Sequence, residues 1–377
     1  MTPGAHWQDG VVLDPSVPVV LPDAVLLMSF GGPEGPDEVM PFLRRVTGGR
    51  GIPDDRLAVV AEHYLARGGV SPINQQNREL KEALTTELAR REVEVEVLWG
   101  NRNAAPFVGD VLAEAADRGV RHVVMVTTSA YPSYSSCRQY REDLAAAAAP
   151  GQRVDRIGPY ALSPGFLAAS TNSLAAALTE LAADGAQGAA PHVLFVTHSV
   201  PTAMAESSGP GCRPAEGSYV SWHRAVGDRV LAGARRNWPG VTGELVYCSR
   251  SGAPHQPWLE PDVNDRLREL AADPDARDRP VVLAPIGFVS DHMEVIHDLD
   301  TEALATAAEV GLRCVRAATV GTDPAFVTQL VDEVLARAAL GDGLLPDAEA
   351  AASGPGWTHC PSDCCVNVRA PQTPAIS

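Results

Sequence analysis

The stretch HVLFVTHS, residues 192–199, decides the fold class because its first half is almost continuously apolar and its end is polar. A strand that is buried on both faces needs such an unbroken apolar run, and strands of this kind are typical of parallel sheets. In open parallel sheets, ligands bind beyond the carboxyl ends of the strands. The stretch therefore predicts a buried parallel strand with His198 at the mouth of a binding site.

Five further runs along the chain repeat this pattern. They are AVLLMSF (24–30), VEVEVLWG (93–100), HVVMVTTSA (122–130), ELVYCSRS (244–251) and PVVLAPIGFVS (280–290). Helical stretches such as NRELKEALTTELARR separate the runs, as crossover helices do in an α/β fold. Three runs fall in each half, so we predict two doubly wound lobes. We expect an N-terminal extension over 1–20, lobes over 21–160 and 161–340, and a C-terminal extension over 341–377.

The charge balance of the chain argues against two classes of partner. The 377 residues carry a formal net charge of −17. Nucleic acids and anionic membranes are poor partners for such a chain, because both require basic surface. The chain also has no apolar stretch of about 18 residues, the length that a membrane span requires, and MTPGAHWQDG lacks a secretory signal pattern. We expect a cytoplasmic protein without stable membrane insertion and, since nothing demands a dimer, a monomer.

The segment IGFVSDHMEVIHDLDTEA, residues 286–303, gathers acids at the end of the last apolar run. Glu294, Asp298 and Glu302 are spaced i, i+4 and i+8, so they share one face of a helix. Like charges at this spacing cost roughly 0.2–0.5 kcal/mol per pair, and such a stripe suits the path of a cation. Asp291 followed by Glu294 also fits a capping box at a helix start. His198 can accept a proton near neutral pH, although a lone histidine is as readily a core residue.

These segments resemble the ferrochelatases, which insert ferrous iron into a porphyrin. The matching pieces lie between about residues 24 and 304: LLMSFGGPEGPDEVMPFLRRVTGGRGIP, HYLARGGVSPINQQNREL, WGNRNAAP, FVTHSVP, SRSGAPHQPWLEPDV and PIGFVSDHMEVIHDLDTEA. The resemblance implies an α/β fold of two Rossmann-like, parallel-sheet domains that face a porphyrin cleft. It implies that His198 and Glu294 are catalytic and contact the iron, and that Asp298 and Glu302 belong to an acidic path.

The resemblance also implies a substrate and leaves alternatives open. Actinobacterial members of the family act on coproporphyrin III, whereas protoporphyrin IX is the alternative porphyrin. A chelatase for another tetrapyrrole, such as sirohydrochlorin with cobalt, and a haem or iron carrier or redox sensor built on the same fold are further alternatives. We expect Phe30, where some relatives have a tyrosine, to pack against the macrocycle. The candidate propionate contacts are Arg44, Arg45, Arg50, Ser71 and Arg138, and the candidate cavity tyrosines are Tyr131, Tyr134 and Tyr140.

The tail WTHCPSDCCVN places three cysteines within six residues, Cys360, Cys364 and Cys365. Disulfides are disfavoured in the cytoplasm, so metal ligation is the better interpretation. Zinc held together with His359 is one possibility. An iron–sulfur cluster needs four thiolates, and Cys212, Cys248 and Cys314 are conceivable fourth ligands. The resemblance to actinobacterial ferrochelatases implies a [2Fe–2S] cofactor with Cys137 as the distant ligand, whose expected role is to pin the tail to the first lobe.

Overall fold

The computed structural model describes residues 21–48, 51–183, 189–209, 215–251, 255–339, 360, 364–367 and 370–376. The expected N-terminal extension, most of the C-terminal one, and the candidates Arg50, Cys212 and His359 lie outside these ranges. Within the described ranges, no helix is long and apolar enough to cross a membrane.

Two four-stranded sheets, all parallel, form the frame of the described chain. The strands are β1 Ala24–Ser29, β2 Glu96–Asn101, β3 His122–Thr127, β4 Arg153–Arg156, β5 His192–His198, β6 Thr242–Cys248, β7 Val281–Ala284 and β8 Cys314–Arg316. The first sheet has the order β2-β1-β3-β4 and the second the order β6-β5-β7-β8. Because the two orders are equivalent, each half of the chain repeats one doubly wound plan, and the predicted α/β fold is confirmed.

The helices follow the strands as crossovers. They are α1 Pro36–Val46, α2 Asp54–Leu65, α3 Ile73–Arg90, α4 Val108–Asp117, α5 Gln139–Ala147, α6 Pro164–Ala183, α7 Thr202–Glu206, α8 Gly217–Ala234, α9 Val263–Ala272, α10 Met293–Val295, α11 Leu304–Glu309 and α12 Pro324–Ala339. Two segments, Tyr134–Arg138 and Ile296–Ala303, are π-helical. Such segments often occur at functional sites, and both of these carry residues that the sequence singles out.

Six of the eight strands coincide with the predicted apolar runs, but the second run begins later than expected. Residues 93–95 form a loop, because Glu92 adopts a left-handed conformation at φ 59° and the Val93 N–H closes α3 on the Leu88 carbonyl. The register with β1 begins only at Glu96, opposite Ala24. The edge strands β4 and β8 escaped sequence analysis, because β4 is short and mostly charged and β8 has only three residues.

The two lobes share one core. Its largest cluster of buried side chains contains Leu27 from the first sheet, Val193 from the second, and Phe166 and Phe326 from α6 and α12. Helix α12 packs against α6 and also against α3 and β3 of the first lobe. The predicted boundary at residue 160 stays a prediction, and the shared core shows that neither half is packed independently.

Candidate active site

The candidate active site lies where the carboxyl ends of the second sheet meet the first lobe. His198 is the last residue of β5, and Glu294 lies in the short helix α10 that follows β7. Met293 packs into a cluster with Phe42 and Tyr64 of the first lobe. The cleft between the lobes is therefore walled by both of them at this point.

His198 and Glu294 both belong to the second lobe, and their side chains lie next to each other at the carboxyl end of its sheet. The distance from His198 Nε2 to the Glu294 carboxylate is 3.6 Å, and the two side chains are 33% and 53% exposed. The Nδ1–H of His198 donates a hydrogen bond to the Ser199 carbonyl. When the imidazole is neutral, that bond keeps its proton on Nδ1 and leaves the Nε2 lone pair on the side of Glu294; when the ring is protonated, Nε2–H faces the carboxylate. The pair combines a proton acceptor with an adjacent carboxylate, and both are accessible from the cleft.

The charges of this pair stabilise each other. Burial opposes the imidazolium, but the hydrogen bond and charge of Glu294 outweigh it and raise the pKa of His198. Burial likewise opposes the carboxylate, yet the hydrogen bond of His198, with the charges of His198 and His292, lowers the pKa of Glu294 to about 2. Glu294 is therefore ionised near neutral pH, and its charge favours the protonated form of His198.

Asp298 lies farther along the same face, in the π-helical segment. Burial and then the charges of Glu294 and Glu302 raise the pKa of Asp298 to about 6, against a hydrogen bond from the Ser249 hydroxyl that lowers it. Ser249 follows β6 and holds a left-handed conformation with φ 62°. For a residue other than glycine this conformation costs about 1–2 kcal/mol. The strained backbone thus occurs at the residue whose hydroxyl donates a hydrogen bond to Asp298.

His297 joins two of the predicted acidic residues. A ligand atom from each of His297, Asp298 and Glu302 lies within 4.8 Å of the other two, the spacing of a metal-binding group. His63, from α2 of the first lobe, stacks on His297 at 3.6 Å between ring centroids. Sequence analysis missed both histidines. His297 directly precedes Asp298, which is a signal that could have found it, whereas only the fold brings His63 to this position.

The predicted capping box at Asp291 is wrong. The N-cap of α10 is His292, and no side chain caps its free N–H groups. Asp291 instead pairs with Arg316, whose two Nη atoms lie 3.0 Å from its two oxygens. His292 packs edge-on against Phe288 with the ring centroids 5.3 Å apart, and burial lowers its pKa.

The candidate porphyrin contacts have different surroundings. Phe30, at the end of β1, is 36% exposed and lies edge-on to Phe42. Arg45 is exposed, bonds the Asn103 carbonyl at 2.5 Å and stacks over Phe107. Ser71 is buried, and a Cβ on Gly32 would meet its side chain at 2.6 Å. Gly32 thus leaves the space that Ser71 occupies.

Tyr134 and Arg138 lie against the C-terminal segment. The Tyr134 hydroxyl accepts a hydrogen bond from Asn367 at 2.8 Å, and Arg138 donates to the Thr373 carbonyl at 3.2 Å. Arg138 also forms a buried ion pair with Glu142. Their predicted contacts with porphyrin stay predictions. Of the other candidates, Tyr131 and Tyr140 are buried, and Arg44 pairs with Asp54 on the surface.

A second potential metal centre gathers four cysteines from two distant parts of the chain. Cys137, in the first π-helical segment, is hydrogen bonded to Cys360 of the tail. The Sγ atoms of Cys364 and Cys365 are 3.9 Å apart, about the ~3.8 Å edge of a tetrahedral site with metal–sulfur bonds near 2.3 Å. None of the four is in a disulfide, and all four are buried. Cys248 and Cys314 lie elsewhere, in β6 and β8.

Positive groups surround these sulfurs. Arg156 Nη2 donates to Cys360 Sγ at 2.6 Å, and the Gly209 N–H donates to Cys365 Sγ at 3.0 Å. Hydrogen bonds between the thiols lower the pKa of Cys360 and Cys365 and raise the pKa of Cys137 and Cys364. Among the described residues, Arg156 Nε and Arg141 Nη1 are buried without a partner. These unpaired donors are a buried positive environment that suits thiolates.

Comparisons with known proteins identify the family of the chain. A family model described as ferrochelatase matches residues 22–338. Relatives named coproporphyrin III ferrochelatase include those of Streptomyces griseus subsp. griseus, 50% identical over 94% of this chain and 95% of that one, and Leifsonia xyli, 46% identical over 94% of each.

A solved structure supports the fold. SirB from Bacillus subtilis with Fe³⁺ matches at a TM-score of 0.50 with 12% identity, over 86% of this chain and 98% of that one. At this identity the likeness concerns the fold alone. The family match covers both lobes and every piece on which the sequence resemblance stands. The chain belongs to the ferrochelatase family.

Proposed function

We propose that this chain inserts ferrous iron into coproporphyrin III and so produces coproheme. The observation that carries the proposal is the pair His198–Glu294, in which a fixed imidazole lone pair faces an ionised carboxylate 3.6 Å away at the mouth of a strand. The names of the relatives from Streptomyces and Leifsonia support both the reaction and the porphyrin.

The pair fits the proton chemistry of metal insertion. Free-base porphyrin holds two N–H protons in its plane, and both must leave when a divalent ion enters. His198 Nε2 accepts a pyrrole proton, and the Glu294 carboxylate stabilises the imidazolium that forms. Two protons leave for each metal ion, so His198 must return to its neutral form within a turnover. The exposed edge of the pair gives water access to it.

The cleft must also bend the macrocycle, because the nitrogen lone pairs of a flat porphyrin point inward. Strain of about 1–5 kcal/mol, supplied by binding energy from remote groups, is the usual scale for such distortion. Phe30 offers an exposed aromatic ring to the macrocycle, while Arg45 and Ser71 remain our candidates for propionate contacts. Tyr134 and Arg138 are candidates of the same kind whose observed partners lie in the tail.

The iron approaches along the acidic face. Imidazole and carboxylate donors together suit divalent first-row transition metals, and His297, Asp298 and Glu302 supply them at one point. From there we place the path through Asp298 to Glu294 and His198. The half-exposed position of Glu294 leaves coordination positions open, as a site that passes its metal on requires.

An anaerobic insertion assay tests the proposal. Purified protein is given ferrous iron with coproporphyrin III or with protoporphyrin IX, and the initial rates of metalloporphyrin formation are compared. We expect multiple turnovers and a preference for coproporphyrin III. A preference for protoporphyrin IX would overturn the substrate assignment. Stoichiometric porphyrin binding without turnover would favour the carrier or sensor alternative, and metallation of sirohydrochlorin alone would favour the other chelatase.

We propose further that Cys137, Cys360, Cys364 and Cys365 hold a [2Fe–2S] cluster. Four buried thiols outside any disulfide, with two unpaired guanidinium nitrogens beside them, fit such a group, because its thiolate and sulfide ligands carry negative charge. When bound, the cluster supplies a redox-active covalent link between the tail and the first lobe. The tail residues make further contacts with this lobe, including the Ile376 N–H to the Arg141 carbonyl at 3.2 Å.

Iron and sulfide analysis tests the cluster. We expect two irons and two acid-labile sulfides per chain, with visible absorbance beyond the porphyrin bands. Zinc without sulfide in protein that was isolated anaerobically would overturn this part of the proposal. We also propose a cytoplasmic monomer, which cell fractionation and sedimentation velocity test independently.

A further inference from the structure

The acids of the segment 286–303 fall into two sets. Glu294, Asp298 and Glu302 belong to the metal face described above. Asp291 and Asp300 face a different group, the guanidinium of Arg316, which is the last residue of β8. The proposed metal path accounts for the first set and leaves the second set without a role.

Arg316 holds both acids at once. Its Nη1 and Nη2 donate to the two oxygens of Asp291 at 3.0 Å each, and its Nε lies 2.5 Å from Asp300 Oδ1. The side chains of Arg316, Asp291 and Asp300 are 15%, 16% and 30% exposed. The planar guanidinium presents its donors in a fixed fork, a geometry that lysine cannot reproduce.

The two positions that Arg316 holds flank two residues of the metal face along the chain. Asp291 precedes Glu294, and Asp300 follows Asp298, so Glu294 and Asp298 lie on the chain between two points that one side chain fixes. A third contact ties this segment to the first lobe, because the Asp291 N–H donates to Gln76 Oε1 at 2.8 Å.

A role in stability alone does not account well for this arrangement. Partly buried ion pairs contribute little net stability, because the cost of removing both charges from water offsets their attraction. Precise placement of metal-binding groups, by contrast, depends on the contacts that orient them. We propose that Arg316 is a positioning residue for metal delivery, which aims Glu294 and Asp298 into the cleft by holding Asp291 and Asp300. This inference rests on the proposed function of the cleft.

The test compares Arg316→Ala with Arg316→Lys, Asp300→Asn and a matched control, Arg266→Ala. Arg266 also bridges two acids of the second lobe, Glu244 and Glu269. We expect Arg316→Ala to lower kcat/KM for ferrous iron by about 10²-fold, the scale of a misplaced catalytic group. Asp300→Asn should lower it about tenfold and Arg316→Lys by an intermediate amount. Added guanidinium ion should partly restore Arg316→Ala.

Coproporphyrin III binding provides the second readout. The porphyrin Kd, followed by fluorescence quenching, should stay within about twofold of wild type in all variants, because the clamp acts on the metal face. An iron kcat/KM in Arg316→Ala equal to that of Arg266→Ala would overturn the proposal, as would an equal loss of porphyrin binding. If Arg316→Ala does not fold, the iron kcat/KM and the porphyrin Kd of Arg316→Lys and Asp300→Asn decide whether the proposal holds.

A turnover-independent measurement separates this proposal from the function on which it rests. Zn²⁺ binding is measured by calorimetry in wild type, Arg316→Ala and Arg266→Ala, which share the same cysteine region. Weaker Zn²⁺ binding in Arg316→Ala alone supports the clamp, even if wild type fails to metallate coproporphyrin III. Equal Zn²⁺ binding in all three contradicts the clamp, even if turnover is normal.

Discussion

We propose that two regions of this molecule handle metal, and these regions differ in almost every physical respect. In the cleft, the donors are imidazole and carboxylate, and the side chains of His198 and Glu294 are 33% and 53% exposed. At the tail, the donors are four thiols that are at most 9% exposed. An open site with borderline donors exchanges its metal, whereas a closed site of thiolates retains it. The comparison fits our proposal that the cleft passes iron on and the tail keeps it.

The largest expected effect belongs to the cleft. We expect His198→Ala to lower kcat by at least about 10²-fold, because it removes the proton acceptor. The fold and coproporphyrin binding should persist, since the cleft is built mainly from other residues. Insertion rates and porphyrin fluorescence titrations measure the two properties. Turnover near the wild-type rate would contradict the role of His198 and weaken the contrast between the regions.

The next largest effect is expected at the cysteines that join the tail to the first lobe. Cys137→Ser should abolish the visible absorbance of the cluster and lower the iron content of the isolated protein by about two per chain. The melting temperature should also fall, because the tail loses its link to the first lobe. Absorption spectra, iron analysis and thermal melts measure these effects, and Cys314→Ser is the matched control. Unchanged colour in Cys137→Ser would remove Cys137 from the ligand set.

A smaller effect is expected farther along the metal path. Asp298→Asn should raise the KM for ferrous iron about tenfold with less change in kcat, because the carboxylate guides iron without touching the reacting nitrogens. Steady-state kinetics with varied iron and saturating coproporphyrin III separates the two constants. A change confined to kcat would place Asp298 in the proton chemistry instead.

The smallest expected effect is on the melting temperature of Asp298→Asn and its dependence on pH. The pKa of Asp298 is raised to about 6, so this carboxyl becomes protonated, and loses its charge, as the pH falls through 6. Its folded pKa lies above the unfolded one, so stability from this group is lost as the pH rises through 6. Asp298→Asn should therefore raise the melting temperature at pH 7.5 by about 1–3 °C and leave it unchanged near pH 4. An equal shift at both values would contradict the pKa argument.

Sequence analysis predicted the frame of the molecule because buried parallel strands leave a continuous apolar signal. The run 192–199 became β5, His192–His198. The edge strands carry no such signal. β4 contains Asp155, whose carboxylate pairs with His122, Arg153 and Arg337, so its buried charges conceal it.

The site was predictable only where its residues lie on one segment. Glu294, Asp298 and Glu302 share a short stretch, and their spacing indicates a common face. The π-helical turn that carries Asp298 and Glu302 leaves no periodic signal, because it departs from the 3.6-residue repeat that sequence patterns detect. His63 reaches His297 from the other lobe, and Arg316 reaches Asp291 from an edge strand. Contacts between residues so far apart along the chain depend on the fold as a whole.

Isotope tracing tests the contrast between the two regions most directly. Protein grown on natural-abundance iron is given ⁵⁷Fe²⁺ and coproporphyrin III under anaerobic conditions, and product and protein are separated after several turnovers. Mass spectrometry of the product and Mössbauer spectroscopy of the protein then locate the label. We predict that the coproheme carries ⁵⁷Fe while the iron at the cysteines stays unlabelled. Natural-abundance iron in the product, with ⁵⁷Fe replacing it at the cysteines, would show that the tail donates iron and would contradict the account.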